Sequence, residues 1–265
     1  MSDPLTQIFA YHQATKHHFH AYARGPGQLD WATQPNPFRR YEGAPLIALH
    51  HIPPSSEPLY DAAFVVGRVL PHPFTHRQVS QLFVDGLALS AWKQAGDSSW
   101  ALRINPSSGN LHPTEGYLVC GPIAGLCTIP MVCHYSPADH ALERRAELPL
   151  ETWLALTKGL PEPVILIGFT SVHWREAWKY GERAYRYCQH DVGHALAAVS
   201  LAAAALGWRK QPCWTTWAQT PWPLCWVSVI RKGPKPKRLI VCWRFIHREC
   251  PSSTALCRAR CWRTL

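Results

Sequence analysis

Residues 103–118, RINPSSGNLHPTEGYL, gather an arginine, two serines, a glycine and an asparagine in one turn-forming run at the mouth of a strand-like segment. Consecutive Ser107, Ser108, Gly109 and Asn110 can aim several backbone N–H groups and hydroxyls at one anion. Arg103 adds a bidentate cationic fork that lysine would not mimic. Gly109 lets the backbone come close to a ligand, while Pro106 and Pro113 stiffen the ends of the loop. Such a set suits a phosphate or the polar edge of a heterocycle. The same letters also describe an ordinary loop capped by Ser and Asn.

A second constellation is WREAWKYGERAYRYCQHDVGH, residues 174–194. It interleaves Trp and Tyr with Arg, Lys and Glu. Lys179 and Tyr180 stand side by side just before Gly181, where they can donate protons or hold negative charge on a bound ring. The alternative is a solvated helix start with aromatic packing beneath it.

These residues need elements to hold them. Apolar spacing predicts a helix over about 76–93 and a long Ala-rich helix over about 181–206, closed by Gly207. Two apolar runs, 117–120 and 131–135, read as neighbouring strands, and 148–156 as a short helix. The run PVILIGFTS at 163–171 has the composition of a central strand buried on both faces. Residues 1–72 show little periodicity and read as an irregular leader. The architecture expected is α+β, a sheet covered by the long helix.

Composition divides the chain. The formal net charge is +10, yet residues 209–265 carry 12 of the 27 Lys and Arg and one of the 17 acids. The same segment holds six of the ten cysteines and six of the thirteen tryptophans. PKPKR at 234–238 makes nucleic-acid binding through this basic tail an alternative function. No CxxC pair occurs, so no metal site is expected, and the body cysteines read as buried thiols. The N-terminus lacks a secretory pattern and no apolar run reaches membrane-spanning length, which points to a cytoplasmic protein.

RINPSSGNLHPTEGYL, VCHYSPADHALE and WKYGERAYRYCQHDVGH…LAAAALGW, with the opening YHQATKHHFHAY…LDWATQPNPFRRYEG, together resemble the SagB-type dehydrogenase branch of the nitroreductase-like FMN-dependent oxidoreductases. The resemblance runs from residue 11 to about 208. It implies FMN in a nitroreductase-like α+β fold with a mostly antiparallel sheet. It also implies a homodimer, or pairing with a second nitroreductase-like domain. Carried over, Arg103, Pro106, Ser107, Ser108, Gly109 and Asn110 form the central flavin loop. Lys179 and Tyr180 match the pair that supports azoline dehydrogenation, and Gly193 and His194 match the family's Gly-His. The phosphate grip is carried by Arg77 alone, and Ala197 and Ala198 stand where a Gln-Asn pair often follows. Substrates implied are a small molecule or a peptide, for azoline-type dehydrogenation or nitro or quinone reduction, with NAD(P)H as a possible donor.

The expected division is therefore an irregular leader (1–72), a nitroreductase-like FMN domain incomplete at its C-terminus (73–208) and a basic Cys- and Trp-rich tail (209–265). The resemblance stops at Trp208. Read one base earlier, with Leu224 written CTN, residues 212–227 are compatible with an amphipathic run such as LLDDLGTDxLAxLLG, in which only some positions are forced by the code, so the tail is expected to be out of frame. A truncated, non-catalytic chain is the corresponding alternative.

Overall fold

The computed structural model describes residues 3–158, 160, 162–213 and 225–231. Among these, one sheet has seven strands in the spatial order β1 (Leu46–Ala48), β6 (Ala141–Glu147), β5 (Met131–Ser136), β4 (Thr114–Cys120), β7 (Val164–Ser171), β9 (Cys225–Arg231) and β8 (Arg209–Cys213). Each strand is antiparallel to its neighbour. The sheet thus continues beyond Trp208 through β8 and β9. The rest of the tail, 214–224 and 232–265, lies outside the described residues, as does any nucleic-acid surface there.

The helices are α1 (Pro4–Thr15), α2 (His76–Leu87), α3 (Leu150–Thr157), α4 (His173–Tyr180) and α5 (Ala184–Ala205). Among the described residues none is long and apolar enough to cross a membrane. The core lies between the sheet and the α2–α5 pair. Val79, Leu82, Phe83 and Leu87 of α2 join Val192, Ala195, Val199 and Ala203 of α5 over Leu118, Cys133, Leu142, Ile165 and Ile167. Small residues let the two helices approach closely: a Cβ on Gly86 would sit 3.0 Å from Val199 Cγ2. Phe83 stacks on Tyr135 with ring centroids 4.5 Å apart. Truncating Phe83 to Ala would cost about 3–5 kcal/mol.

β7 is buried on both faces from Val164 to Phe169, as its composition predicts. The 76–93 helix is shorter than its spacing suggests. It ends at Leu87, and β2 (Leu89–Ala95) turns at Gly96 to pair with β3 (Ser98–Arg103). Trp92 mimics the helical period but is 63% exposed, so no core holds that stretch in a helix. The leader is more ordered than its weak periodicity suggests. Asp3 caps α1, accepting from the Thr6 N–H, and Pro4 occupies the first turn.

The second face of the sheet is buried and polar. His134 lies between two carboxylates, 2.7 Å from Glu115 Oε2 and 2.6 Å from Glu143 Oε2. Arg175 reaches Glu115 Oε1 at 2.5 Å. The leader covers this network. The Tyr41 N–H donates to Glu143 at 3.1 Å, and the Tyr41 and Tyr117 hydroxyls meet at 2.9 Å.

Candidate functional site

β3 ends at Arg103, and the chain then crosses to β4 through the loop 104–113. Gly109, Asn110 and His112 all have positive φ, at 61°, 60° and 48°. Two of the three are not glycine, so the loop holds backbone strain that its surroundings must offset. Asn110 does much of this: its Nδ2 donates to Ala101 O at 2.9 Å and its Oδ1 accepts from His112 Nε2 at 2.7 Å. That bond puts the imidazole proton on Nε2 and leaves Nδ1, which is buried, as an acceptor without a protein partner. Burial, then Arg103 and Arg175, push the His112 pKa down to about 3, so the ring is neutral.

The two serines face inward. The Ser107 hydroxyl donates to Asp191 at 2.5 Å, and the Ser108 N–H and hydroxyl donate to Asp191 Oδ1 at 3.0 and 2.9 Å. The loop therefore does collect N–H and hydroxyl donors around an anion, and that anion is a carboxylate of α5. Asp191 is 1% exposed. Sequence reasoning missed it. The available signal was its place on the buried stripe of α5, between Cys188 and Val192, where a carboxylate needs donors.

α4 brings the Lys-Tyr pair to this loop. A Cβ built on Gly109 would lie 2.6 Å from Tyr180 Oη and 3.0 Å from Lys179 Nζ. Lys179 Nζ stands 3.5 Å from Gly109 O. Burial, then the charge of Glu176, raises the Tyr180 pKa to about 12, so the phenol keeps its proton. Gly181, at φ 52°, ends α4 and sends the chain into α5.

Arg103 is 7% exposed. Its Nη2 donates to Pro37 O at 2.6 Å, and its Nε has no protein partner. Burial lowers its pKa to about 10, which leaves it cationic at neutral pH. Asn105 Oδ1 and Thr114 Oγ1 are likewise buried without protein partners. Glu176, three residues before Lys179 and fully buried, has both oxygens unpartnered. Burial, then Asp191, pushes its pKa up to about 8.

The structure thus gathers Arg103, Ser107, Ser108, Gly109, Asn110, Lys179 and Tyr180 around one loop, with Pro106 exposed on its rim. It does not gather the remaining three. Gly193 and His194 are both exposed on α5, Gly193 on the side opposite Asp191 and His194 three residues on from it. Arg77 is exposed in the first turn of α2, whose start hydrogen-bonds to Ala124 beyond the far end of β4. With β4 seven residues long, that is about 20 Å from the loop.

The leader braces the same site. Trp178 Nε1 lies 3.2 Å from Asp30 O and from Thr33 Oγ1. Arg183 and Arg186 donate to Thr15 O and His12 O of α1, and Arg24 pairs with Glu182.

No family model matches the chain. It is 36% identical over 111 residues to the trifolitoxin-processing protein TfxB of Rhizobium leguminosarum bv. trifolii. That match covers 38% of this chain and 29% of TfxB. A solved nitroreductase-like protein from Anabaena variabilis aligns at 27% identity and a TM-score of 0.57, over 77% of this chain and 40% of that one. The chain therefore spans well under half the length of both. Another from Ralstonia eutropha aligns at 14% identity and a TM-score of 0.52, over 72% of this chain and 90% of that one. An α+β architecture with an antiparallel sheet under paired helices, matched by these two solved structures, identifies the chain as having the nitroreductase-like fold.

Proposed function

We propose that the chain is an FMN-dependent oxidoreductase of the SagB and nitroreductase type. The observation that carries this reading is the convergence of Lys179 Nζ and Tyr180 Oη on Gly109, whose positive φ and close neighbours favour a bare backbone there. Cationic and proton-donating groups at one bare stretch of backbone fit the polar edge of a flavin. The free Arg103 Nε and the buried Asn105 and Thr114 oxygens offer further polar atoms nearby. FMN, when bound, supplies two-electron redox chemistry by accepting and returning a hydride.

In this reading the chain's own residues act in three ways. Asp191 fixes the loop through Ser107 and Ser108, so that Gly109 is presented in one conformation. Tyr180 holds a proton that it can give to, or take back from, a substrate atom. Lys179 and Arg103 stabilise negative charge at the ring edge. Arg77 stands at the opposite end of β4, about 20 Å of strand away from the loop. Its position suits a cofactor shared between two copies, or between this chain and a second nitroreductase-like domain.

The substrate class proposed is a peptide azoline, with nitro or quinone reduction as the other chemistry open to such a site. The trifolitoxin-processing role in the name of TfxB favours the peptide. The tail is proposed to be out of frame. Resequencing across codons 205–215 tests that, and an uninterrupted frame would remove it. The flavin itself is tested with purified chain incubated with excess FMN and dialysed. Retained flavin absorbance is expected, together with a weaker retention in Lys179→Met by about tenfold, as for loss of one charge-assisted contact. A folded chain that retains no flavin would refute the reading.

A further inference from the structure

At the end of the sheet away from the loop, β4 and the following turn bring two thiols together. Cys120 Sγ and Cys127 Sγ are 3.9 Å apart, in van der Waals contact and unbonded. Their environments differ. Cys120 is fully buried in the core, whereas Cys127 is partly exposed and lines a cavity of about 770 Å³ with Ile47, Leu126, Met131 and Arg144. One thiol can thus meet a small solute and the other can only meet its neighbour.

We infer that Cys120 and Cys127 form an oxidisable dithiol, with Cys127 the thiol that meets a hydroperoxide and Cys120 the one that closes an internal disulfide. This rests on the pair alone and is independent of the flavin reading. The contact with Cys120 draws the Cys127 pKa down to about 7, which favours its thiolate, and as a thiol Cys127 donates to Gly121 O at 3.4 Å. Arg144 lines the same cavity, with its guanidinium paired to Glu147 at 2.5 Å. The third thiol nearby, Cys133, is buried and pushed up to about 12, which keeps it protonated and unreactive.

The steps balance. Cys127 thiolate attacks one oxygen of the hydroperoxide. The S–O bond forms, the O–O bond breaks, and the leaving oxygen takes a proton to become water or an alcohol. Cys120 sulfur then attacks the sulfenic sulfur. The S–S bond forms, and the hydroxyl leaves with the Cys120 proton as water. Two thiols lose two electrons and two protons, and the hydroperoxide is reduced by two electrons to water and an alcohol, or to two waters.

The bond would tie off the turn 121–126. That turn also holds the start of α2, through the His76 N–H to Ala124 O bond of 3.0 Å. Oxidation is therefore felt at the first turn of α2.

The test treats the full chain with hydrogen peroxide, removes the peroxide, unfolds the chain in urea so that N-ethylmaleimide reaches every remaining free thiol, and digests with trypsin. Cys120, Cys127 and Cys133 fall in one tryptic peptide, 104–144. The expected product is lighter by two hydrogens and carries one maleimide, on Cys133. Three maleimides on that peptide, or a bond that includes Cys133, would overturn the inference. In Cys120→Ser a hydroxyl keeps the hydrogen-bonding group beside Cys127 while the resolving thiol is gone, and Cys127 should become labelled by dimedone after peroxide. Absence of that label would count against it equally. The peptide map of the unaltered chain decides the matter even if the variant folds poorly.

Discussion

A carboxyl group buried without a hydrogen-bond donor is costly to ionise, and Glu176 is such a group. Asp191 and Cys188 face it from α5, and Lys179 and Tyr180 follow it in the chain. Only Lys179 favours its charge. With its pKa raised from 4.5 to about 8, the native state holds a proton between those values that the unfolded chain has lost. Stability therefore falls as pH rises through that window and levels off above it. Glu176→Gln cannot ionise and should flatten the fall. Thermal unfolding between about pH 5 and pH 9 checks this, at roughly 2–4 °C per kcal/mol for a domain of this size. Parallel curves for the two proteins would refute the assignment. Glu176 was not legible in the sequence as anything but a helix residue, because its significance lies in α5 passing opposite. The loop was legible in outline, since Ser-Ser-Gly-Asn announces a cluster of donors. That the donors would close on Asp191 was not.

At the scale of elements, the packing of α2 on α5 sets where the loop and the Lys-Tyr helix meet the sheet. Gly86 is a point of close approach, with Val199 Cγ2 at 3.0 Å and Val199 Cα at 3.3 Å from a Cβ placed there. Gly86→Val should force the helices apart, costing about 1–3 kcal/mol by overpacking. A shift in the urea midpoint with unchanged slope is the expected result, and an unshifted midpoint would count against it. The long helix and the central strand β7 were readable in advance because each carries a strong, uniform apolar pattern. The boundary at Leu87 was not. Leu89 and Trp92 keep helical spacing by chance, and what decides their fate is the turn at Gly96, which offers 89–95 a partner strand. The leader likewise looked patternless, because α1 earns its place through Tyr11 and the main-chain oxygens that Arg183 and Arg186 seek, not through an apolar stripe.

For the whole molecule, the separation of Arg77 from the loop 107–110 predicts complementation. If two copies share each flavin, chains carrying Arg77→Ala and chains carrying Gly109→Ala should each retain little FMN. Unfolded and refolded as a mixture, they should recover about a quarter of the sites, those that pair one intact half from each. No recovery above the separate variants would argue for a site built within one chain. The sheet beneath the loop has its own consequence. Leu118, Cys133 and Leu142 line one face, and Glu115, His134 and Glu143 line the other. Because neighbouring side chains alternate, sliding β5 by one residue would push the imidazole into hydrocarbon and strand two carboxylates without it. A mis-threaded chain is thus rejected twice, once by oil and once by unshielded charge, and the strained turn above inherits its placement from a scaffold with a single permitted alignment.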